Sequence, residues 1–321
     1  LLRLSPPNND RLVRGDTFVK QVGGAELNVA VGVALLGLRT GVISKLPSHD
    51  MGSFMKGKIR SYGVSDDFFM YDDSPSARVG IYYYENGAYP RKPKVIYDRA
   101  NSSFYSLKID EIPEKAYTAS RCFHTSGITL ALSPKVRETA IEMIKRFKAA
   151  GTLVSFDVNF RGNLWTGEEA KECIEQILPY VDIFFCSEDT ARLTFKKTGT
   201  AREMMKSFTE EYPISIVAST QRIVHSPKSH TFGSIIYDAR KDIYYEEEPY
   251  RDIDVVDRIG SGDAYISGAL YGLLTSDFDC EKAVRYGNAT SAVKNTIPGD
   301  LPSSDLEEIE TIIKAHNQTG F

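Results

Sequence analysis

The chain has 321 residues, 42% of them hydrophobic and 26% charged, which is ordinary for a soluble globular enzyme and leaves room for one large α/β domain, alone or with an appendage. Its net charge of −4, with both signs dispersed, gives no electrostatic reason to expect nucleic acid or an anionic membrane as a partner. No apolar run approaches the roughly 18 residues of a membrane span, and no secretory leader with a charged start and an apolar middle appears.

The chain opens Leu1-Leu2-Arg3-Leu4-Ser5-Pro6-Pro7, already partway into a strand-like segment, as though a preceding strand were missing from the sequence. Asp16–Val22 reads as a further strand. Residues 24–38 read as a helix rich in small side chains, Gly41–Leu46 as a strand and Met51–Tyr62 as a helix. Residues 66–104 break this rhythm. Val79–Tyr84 and Lys94–Arg99 are strand-like, a polar turn over Glu85–Pro93 joins them, and no helical period separates them, so they are predicted to pair antiparallel outside the main sheet. Short apolar runs follow at Arg121–Thr125, Leu153–Val158, Asp182–Cys186 and Ile214–Val217, separated by helical stretches at 134–150, 167–178 and 200–211. Residues 219–233 read as a loop, and His225 and His230 within it as surface residues. A strand ends near Val256, a helix covers 264–274, and 279–296 and 303–316 read as two more. The alternation predicts a doubly wound, mostly parallel sheet with helices on both faces. No internal repeat or low-complexity tract is present. Cys122, Cys173, Cys186 and Cys280 are scattered without a CxxC pair, which fits reduced thiols in a cytoplasmic protein, and the histidines form no HExxH.

The most informative stretch is Asp257-Arg258-Ile259-Gly260-Ser261-Gly262-Asp263. Glycines let the backbone fold tightly with several N–H groups pointing one way, and the helix that follows adds its positive dipole end. Gly260, Ser261 and Gly262 thus predict an anion hole, and Asp263 places a carboxylate where it can take a proton from an alcohol. Phosphoryl transfer to a hydroxyl needs that pairing. Near the front, Gly23-Gly24-Ala25-Glu26-Leu27-Asn28 puts glycines before a helix. Gly24 would allow close approach of a polyhydroxy ligand, and Asn28 can both donate to and accept from hydroxyls. Tyr97 and Arg99, two apart, share a strand face; an aromatic hydroxyl beside a guanidinium suits a hydroxylated acid, and Tyr82 is placed to share that side. Asp157-Val158-Asn159-Phe160-Arg161 follows a strand, where ligands of doubly wound sheets bind, so Asn159 and Arg161 are candidates for phosphate or substrate. Asp300, after Pro298-Gly299, reads by itself as a solvated loop carboxylate.

Together these pieces resemble the ribokinase-like (PfkB) family of carbohydrate kinases over nearly the whole chain, with GGAELNVAVG and D-x-x-G-x-G-D as the two signature regions. The finer match, through LRLSPPNN, VIYDRANSSF, TSGITLALS, DVNFRGNLW and the terminal PGD, is to the members that act on keto-deoxy sugar acids. The resemblance implies a central α/β domain (23–65 and 105–321) with a small β-sheet lid (1–22 and 66–104). It implies transfer of the ATP γ-phosphoryl group, with Mg²⁺, to the C6 hydroxyl of 2-keto-3-deoxy-D-gluconate. It implies Asp263 as general base, Gly260, Ser261 and Gly262 as anion hole, and Gly24, Asn28, Tyr82, Tyr97, Arg99, Arg161 and Asp300 as sugar-acid contacts. Asn159, Ser187, Ser219, Gly260, Gly262 and Asn288 fall on the nucleotide side, Asn288 in the helix bordering the adenine pocket. Self-association through the lid, as a homodimer or larger homo-oligomer, is also implied.

Three departures stand out. Ser261 replaces the usual alanine of G-A-G-D, a small change because backbone N–H groups carry the role. The N-x-x-E motif that helps organise Mg²⁺ reads Ser187-Glu188-Asp189-Thr190, with Glu188 or Asp189 as substitutes and the metal ligands unassigned. The usual K-x-G-x-x-G is replaced by Ser219–Gly233, within which Lys228 and His230 are candidates to face phosphate. Three other readings stay open: a ribokinase- or fructokinase-like kinase of a neutral sugar, a non-catalytic sugar-acid sensor, and a dinucleotide-binding oxidoreductase, which the absence of GxGxxG disfavours.

Overall fold

The computed structural model describes residues 1–318. In chain order its elements are β1 (Leu2–Ser5), β2 (Val19–Val22), α1 (Ala25–Leu35), β3 (Thr40–Gly41), β4 (Ser44–Pro47), α2 (Asp50–Ser61), β5 (Val64–Ser65), β6 (Phe69–Asp72), β7 (Ile81–Glu85) and β8 (Lys94–Asp98). Then come α3 (Lys115–Thr118), β9 (Cys122–Ser126), α4 (Gly127–Ala131), α5 (Pro134–Ala149), β10 (Leu153–Asp157), α6 (Gly167–Glu175), β11 (Ile183–Phe185), α7 (Glu188–Leu193) and α8 (Ala201–Glu211). The chain continues through β12 (Ile216–Ser226), β13 (Ser229–Asp238), β14 (Ile243–Glu246), β15 (Tyr250–Asp254), α9 (Ser261–Leu274), α10 (Cys280–Asn295) and α11 (Leu306–Gln318).

The main sheet runs β14-β13-β12-β11-β10-β9, with β15 also paired to β13. Strands β9 to β12 are parallel, as the alternation of elements predicts, and β13 and β14 continue the sheet antiparallel. Successive strand residues feed opposite faces: Phe184 and Val217 join the core under α5, α6 and α8, whereas Ile183, Phe185, Ile216 and Ala218 join the core under α1, α9 and α10. Both faces are covered, which explains why these strands are apolar throughout rather than alternating.

A second sheet, ordered β2-β1-β7-β8, stands apart from the first. Its β7 and β8 pair antiparallel with Tyr82 directly opposite Tyr97, as the break in rhythm over 66–104 predicts. The predicted strand over Gly41–Leu46 divides into β3 and β4, each paired with a short parallel neighbour, β5 and β6.

The 219–233 stretch is not a loop. β12 continues to Ser226 and turns back at Pro227-Lys228 into β13, with the two strands paired from Ile216↔Asp238 to Ser226↔Ser229. Gln221, Arg222, His225 and Ser226 look loop-like in sequence, but the outer half of β12 is an exposed arm whose side chains meet solvent. Nor is His230 a surface residue: it lies on β13 at 3% exposure, and the neighbouring Thr231 hydroxyl bonds His225 Nε2 at 2.8 Å.

Candidate active site

A cleft of about 1320 Å³ opens between the carboxyl ends of the parallel strands and the four-stranded sheet. At its centre is the N-terminus of α9. Gly260 caps that helix with φ of 79°, left-handed backbone that suits glycine. A Cβ there would lie 2.0 Å from the Asp300 carbonyl oxygen, so the close approach also demands glycine. The Ser261 amide is engaged by the Arg258 carbonyl at 3.2 Å. The Gly262 and Asp263 amides, in the first turn and without intrahelical acceptors, are the donors left to meet an anion.

Asp263 borders the cleft beside these amides. Its Oδ2 accepts from Asn28 Nδ2 at 2.7 Å, and Asn28 Oδ1 accepts from the Gly24 amide at 3.3 Å. The glycine-rich entry to α1 thereby orients the carboxylate on α9. Burial pushes the Asp263 carboxyl up to about 7, against the pull of the Asn28 hydrogen bond and the Arg161 charge. Asp157, at the end of β10, is also pushed to about 7, by burial and then by the negative charge of Asp263. A carboxyl whose proton leaves near neutrality is suited to receive one.

Two guanidiniums border the same cleft. Arg99, 7% exposed, lies with its Cζ 4.2 Å from the centre of the Tyr97 ring; burial and the nearby Arg161 charge lower its pKa. Arg161, exposed to the cleft, bonds the Phe160 carbonyl at 3.5 Å. Cations that close, each bonded to no carboxylate among the described residues, favour an anionic guest.

Tyr82 and Asp300 reach the cleft floor as parts of a buried network. Tyr82 Oη donates to both Asp300 oxygens, at 2.5 and 2.6 Å. Arg3, from β1, donates through Nη1 to Asp300 at 2.9 Å and through Nη2 to Asp257 at 2.6 Å. Asp257 also accepts from the Ile259 and Gly299 amides. Asp300 is therefore not the solvated loop carboxylate that its position in sequence suggests; it is 4% exposed.

On the other side of α9, the predicted positions divide. Asn159 borders the cleft with φ of 38° and donates its amide to Asp157 Oδ1. Ser187 also borders it, while capping α7 through its hydroxyl. Ser219 does not: on β12 the cleft takes Ala218, Thr220 and Arg222, and period-two alternation turns Ser219 to the opposite face. Asn288 is fully buried, its Oδ1 accepting from Ser234 and its Nδ2 donating to Glu247, so its amide pins α10 to β13 instead of meeting a ligand. Neither Lys228, at the hairpin tip, nor buried His230 borders the cleft. Glu188 pairs with Arg192 at 2.9 Å, and it and exposed Asp189 lie off the cleft.

The sequence reading missed Thr220, Arg222 and Glu26. Arg222 reaches from the exposed arm of β12 to α9 and donates to Ser261 Oγ at 2.8 Å; partial desolvation of its guanidinium against α9, and then the Arg258 charge, lower its pKa. Alternation along a recognised strand from Ala218 is the signal that finds Thr220 and Arg222. Glu26 Oε1 accepts from Ser126, both amide and hydroxyl, and from Thr129, anchoring α1 to the β9–α4 turn.

The model of the pfkB carbohydrate kinase family matches residues 2–305 of the chain. The chain is 33% identical over 314 residues to the 2-dehydro-3-deoxygalactonokinase of Haloferax volcanii, covering 98% of this chain and 94% of that one. Its fold superposes on the crystal structure of Thermotoga maritima 2-dehydro-3-deoxygluconokinase with a TM-score of 0.92 at 32% identity, covering 98% and 95% of the two chains. A pfkB family carbohydrate kinase from Listeria grayi superposes with a TM-score of 0.90 at 29% identity, covering 98% and 97%.

The Arg3 network yields a stability test. Arg3→Met keeps bulk but leaves two buried carboxylates without their shared cation. It is expected to cost about 3–5 kcal/mol, read as a lowered urea midpoint at neutral pH. An unchanged midpoint would show that the network is energetically idle.

Proposed function

The chain belongs to the pfkB family of carbohydrate kinases, and from that membership we propose that it moves the γ-phosphoryl group of ATP to the C6 hydroxyl of 2-keto-3-deoxy-D-gluconate. The observation that carries this reading is Asp263. It is a carboxylate oriented by Asn28, titrating near neutrality, set beside the two open amides at the start of α9.

In the proposed complex the sugar acid lies under the four-stranded sheet, with 1–22 and 66–104 acting as a lid over the α/β domain of 23–65 and 105–321. Its carboxylate meets Arg99 and Arg161, Tyr97 flanks it, and Gly24 and Asn28 lie along its hydroxyls. Tyr82 and Asp300 form the floor. The C6 oxygen points at Asp263, which takes its proton as that oxygen bonds to the γ-phosphorus and the bond to the β-phosphate bridging oxygen breaks, releasing ADP. The Gly262 and Asp263 amides hold charge on the transferred group, as anion-hole donors do. Arg222, held at the helix start by Ser261, supplies a cation from β12 where relatives would have a glycine loop, and Arg258 a second.

Magnesium suits this site as an ion carried by the nucleotide. Among the described residues no cluster of three or more His, Cys, Asp or Glu side chains is arranged to hold a metal, and Mg²⁺ bound to phosphates needs only one or two carboxylates and water. Asp157, at the end of β10, accepts the Asn159 amide on Oδ1 and is the carboxylate that would face it. When bound, the ion would neutralise phosphate charge.

The outer strand β8 is exposed along its length, with Val95 and Ile96 at 40% and 55%, which supports pairing of two chains through the lid. No described helix is long and apolar enough to cross a membrane, and four free cysteines suit a reducing cytoplasm.

The decisive assay is ADP release with 2-keto-3-deoxygluconate, its C4 epimer and fructose as acceptors. The keto-deoxy acids are expected to be preferred; equal turnover of fructose would overturn the acid-specific reading. Asp263→Asn is expected to bind both ligands and lose at least ~10²-fold in turnover. For the wild type, kcat/KM should climb with pH through about 7, where the carboxylate is half ionised, and level off above it. A variant that turns over like wild type, or a profile flat from pH 5 to 8, would remove Asp263 from the role of base. Arg99→Ala is expected to raise KM for the sugar acid by about 10-fold or more while kcat changes little. A loss of the same size with a neutral sugar would contradict carboxylate recognition.

A further inference from the structure

Arg222 is fixed to the start of α9 without being neutralised there. Its Nη2 donates to the Ser261 hydroxyl at 2.8 Å, and no carboxylate among the described residues is bonded to it. Arg3 is the contrast: both of its Nη groups meet carboxylates, so its charge is spent on holding the fold. A carboxylate cancels the field of a guanidinium at a distance, whereas a hydroxyl fixes its direction and leaves the field intact. Ser261 itself is 1% exposed. Its amide is engaged by the Arg258 carbonyl, so the hydroxyl is what this residue offers to the site. The next residue, Gly262, carries the first of the open amides, and no atom lies within 4 Å of where its Cβ would stand. The guanidinium is thus pinned one residue from those amides, at the open side of the helix start.

The arm that carries Arg222 is braced for the same end. Arg222 stands opposite Phe232 of β13, with its Cζ 5.9 Å from the ring centre. Phe232 in turn packs on Tyr265 of α9, their ring centres 5.8 Å apart. At the hairpin tip the Lys228 carbonyl accepts the Val255 amide at 2.9 Å, and Ser229 pairs with Asp254 on β15. An arm whose outer half meets solvent is therefore tied both to α9 and to the chain entering the 257–263 loop. Two departures from the family signature, Ser261 in place of alanine and the 219–233 stretch in place of the glycine loop, meet in one hydrogen bond.

We propose that the two departures are one device: Arg222 is a catalytic arginine supplied within the chain, acting on the charge that develops on the transferred phosphoryl group, and the Ser261 hydroxyl is its positioning residue. The inference rests on the kinase reading of the 257–263 loop and is indifferent to which sugar accepts the group. Arg222 donates hydrogen bonds and exchanges no proton; the bonds made and broken are those of the transfer itself. A guanidinium set in place beforehand holds the transferring group more tightly than it holds ATP, so its effect falls on kcat and not on ATP affinity.

The test compares wild type, Arg222→Ala, Ser261→Ala and the double variant, following transfer to the sugar acid and, without any sugar, hydrolysis of ATP to ADP and phosphate. The fold tolerates both changes: Arg222 stands on the exposed arm, and alanine is the usual residue at 261. Arg222→Ala is expected to lose kcat on the order of 10³-fold, the low end for such an arginine, while KM for ATP moves by less than about 3-fold. Ser261→Ala, which frees the guanidinium without removing it, should lose kcat on the order of 10-fold. The double variant should fall no lower than Arg222→Ala alone, because the hydroxyl acts only through the arginine. Guanidinium chloride at millimolar, sub-denaturing concentrations should restore turnover saturably to Arg222→Ala and leave Ser261→Ala unchanged. Wild-type kcat in Arg222→Ala, a loss confined to KM for ATP, or single losses that multiply in the double variant would each overturn the proposal. A mistaken sugar assignment shows itself separately: wild type then fails with the acids yet still hydrolyses ATP, and the role of Arg222 is decided from hydrolysis. A wild type that does neither overturns both readings.

Discussion

The buried guanidinium of Arg3 is the interaction on which the site's geometry depends. It comes from β1, in the sheet apart from the main domain, and it holds Asp257 at the start of the 257–263 loop and Asp300 at the end of the C-terminal turn. Tyr82 on β7 closes the same network on Asp300, and the face of Tyr84 covers the guanidinium, with Arg3 Cζ 4.3 Å from the ring centre. Four segments far apart in sequence thereby share one buried, charge-paired polar cluster. Such clusters contribute less through net energy than through the single arrangement they permit, because every alternative leaves a charge buried and unpaired. Here that arrangement fixes the distance between the proposed lid and the amides of α9.

Asp300 extends the constraint through its backbone and side chain at once. Its carbonyl leaves no room for a side chain at Gly260, and its carboxylate oxygen lies 2.1 Å from where a Cβ on Gly23 would stand. The helix bearing Asn28 and the helix bearing Asp263 therefore both begin against the same residue. The hydrogen bond between Asn28 and Asp263 is a consequence: two helix starts packed on one turn bring their first-turn side chains within reach.

Much of this was legible in the sequence, and the limits are physical. The parallel strands announced themselves through continuous apolar runs because both sheet faces are covered, and the D-x-x-G-x-G-D spacing placed a carboxylate at a helix start. What stayed hidden was the arm formed by β12 and β13. Its outer half buries little, so Gln221, Arg222 and His225 carry no apolar signature, and only the backbone pairing with β13 reveals a strand. Ser219 and Asn288 were misplaced for a related reason. Sequence spacing puts a residue on an element, but which face it shows follows from the packing of neighbouring elements, and Ser219 falls one step out of phase with Thr220 and Arg222. Asp300 was misread on its own because loop carboxylates are mostly solvated; its partner Arg3 is nearly the whole chain away.

The charges of the cleft complete the picture when taken by region. At one end, Arg99 and Arg161 are bonded to no carboxylate among the described residues, while Asp157 and Asp263 are pushed up to about 7. At the start of α9, Arg222 bonds Ser261 with Arg258 close by. Burial is the main cause that raises both carboxyls. A sugar acid and a triphosphate would supply the missing anions at opposite ends. Between them, Asp263 sits where burial makes its ionisation costly and Arg161 eases it. The proposed proton acceptor would therefore be poised by the fold before either guest binds, between cationic walls suited to guests with charge at both ends. A neutral sugar would leave the Arg99–Arg161 pair uncompensated, which is the physical reason the acid reading is preferred over that of a neutral hexose or pentose.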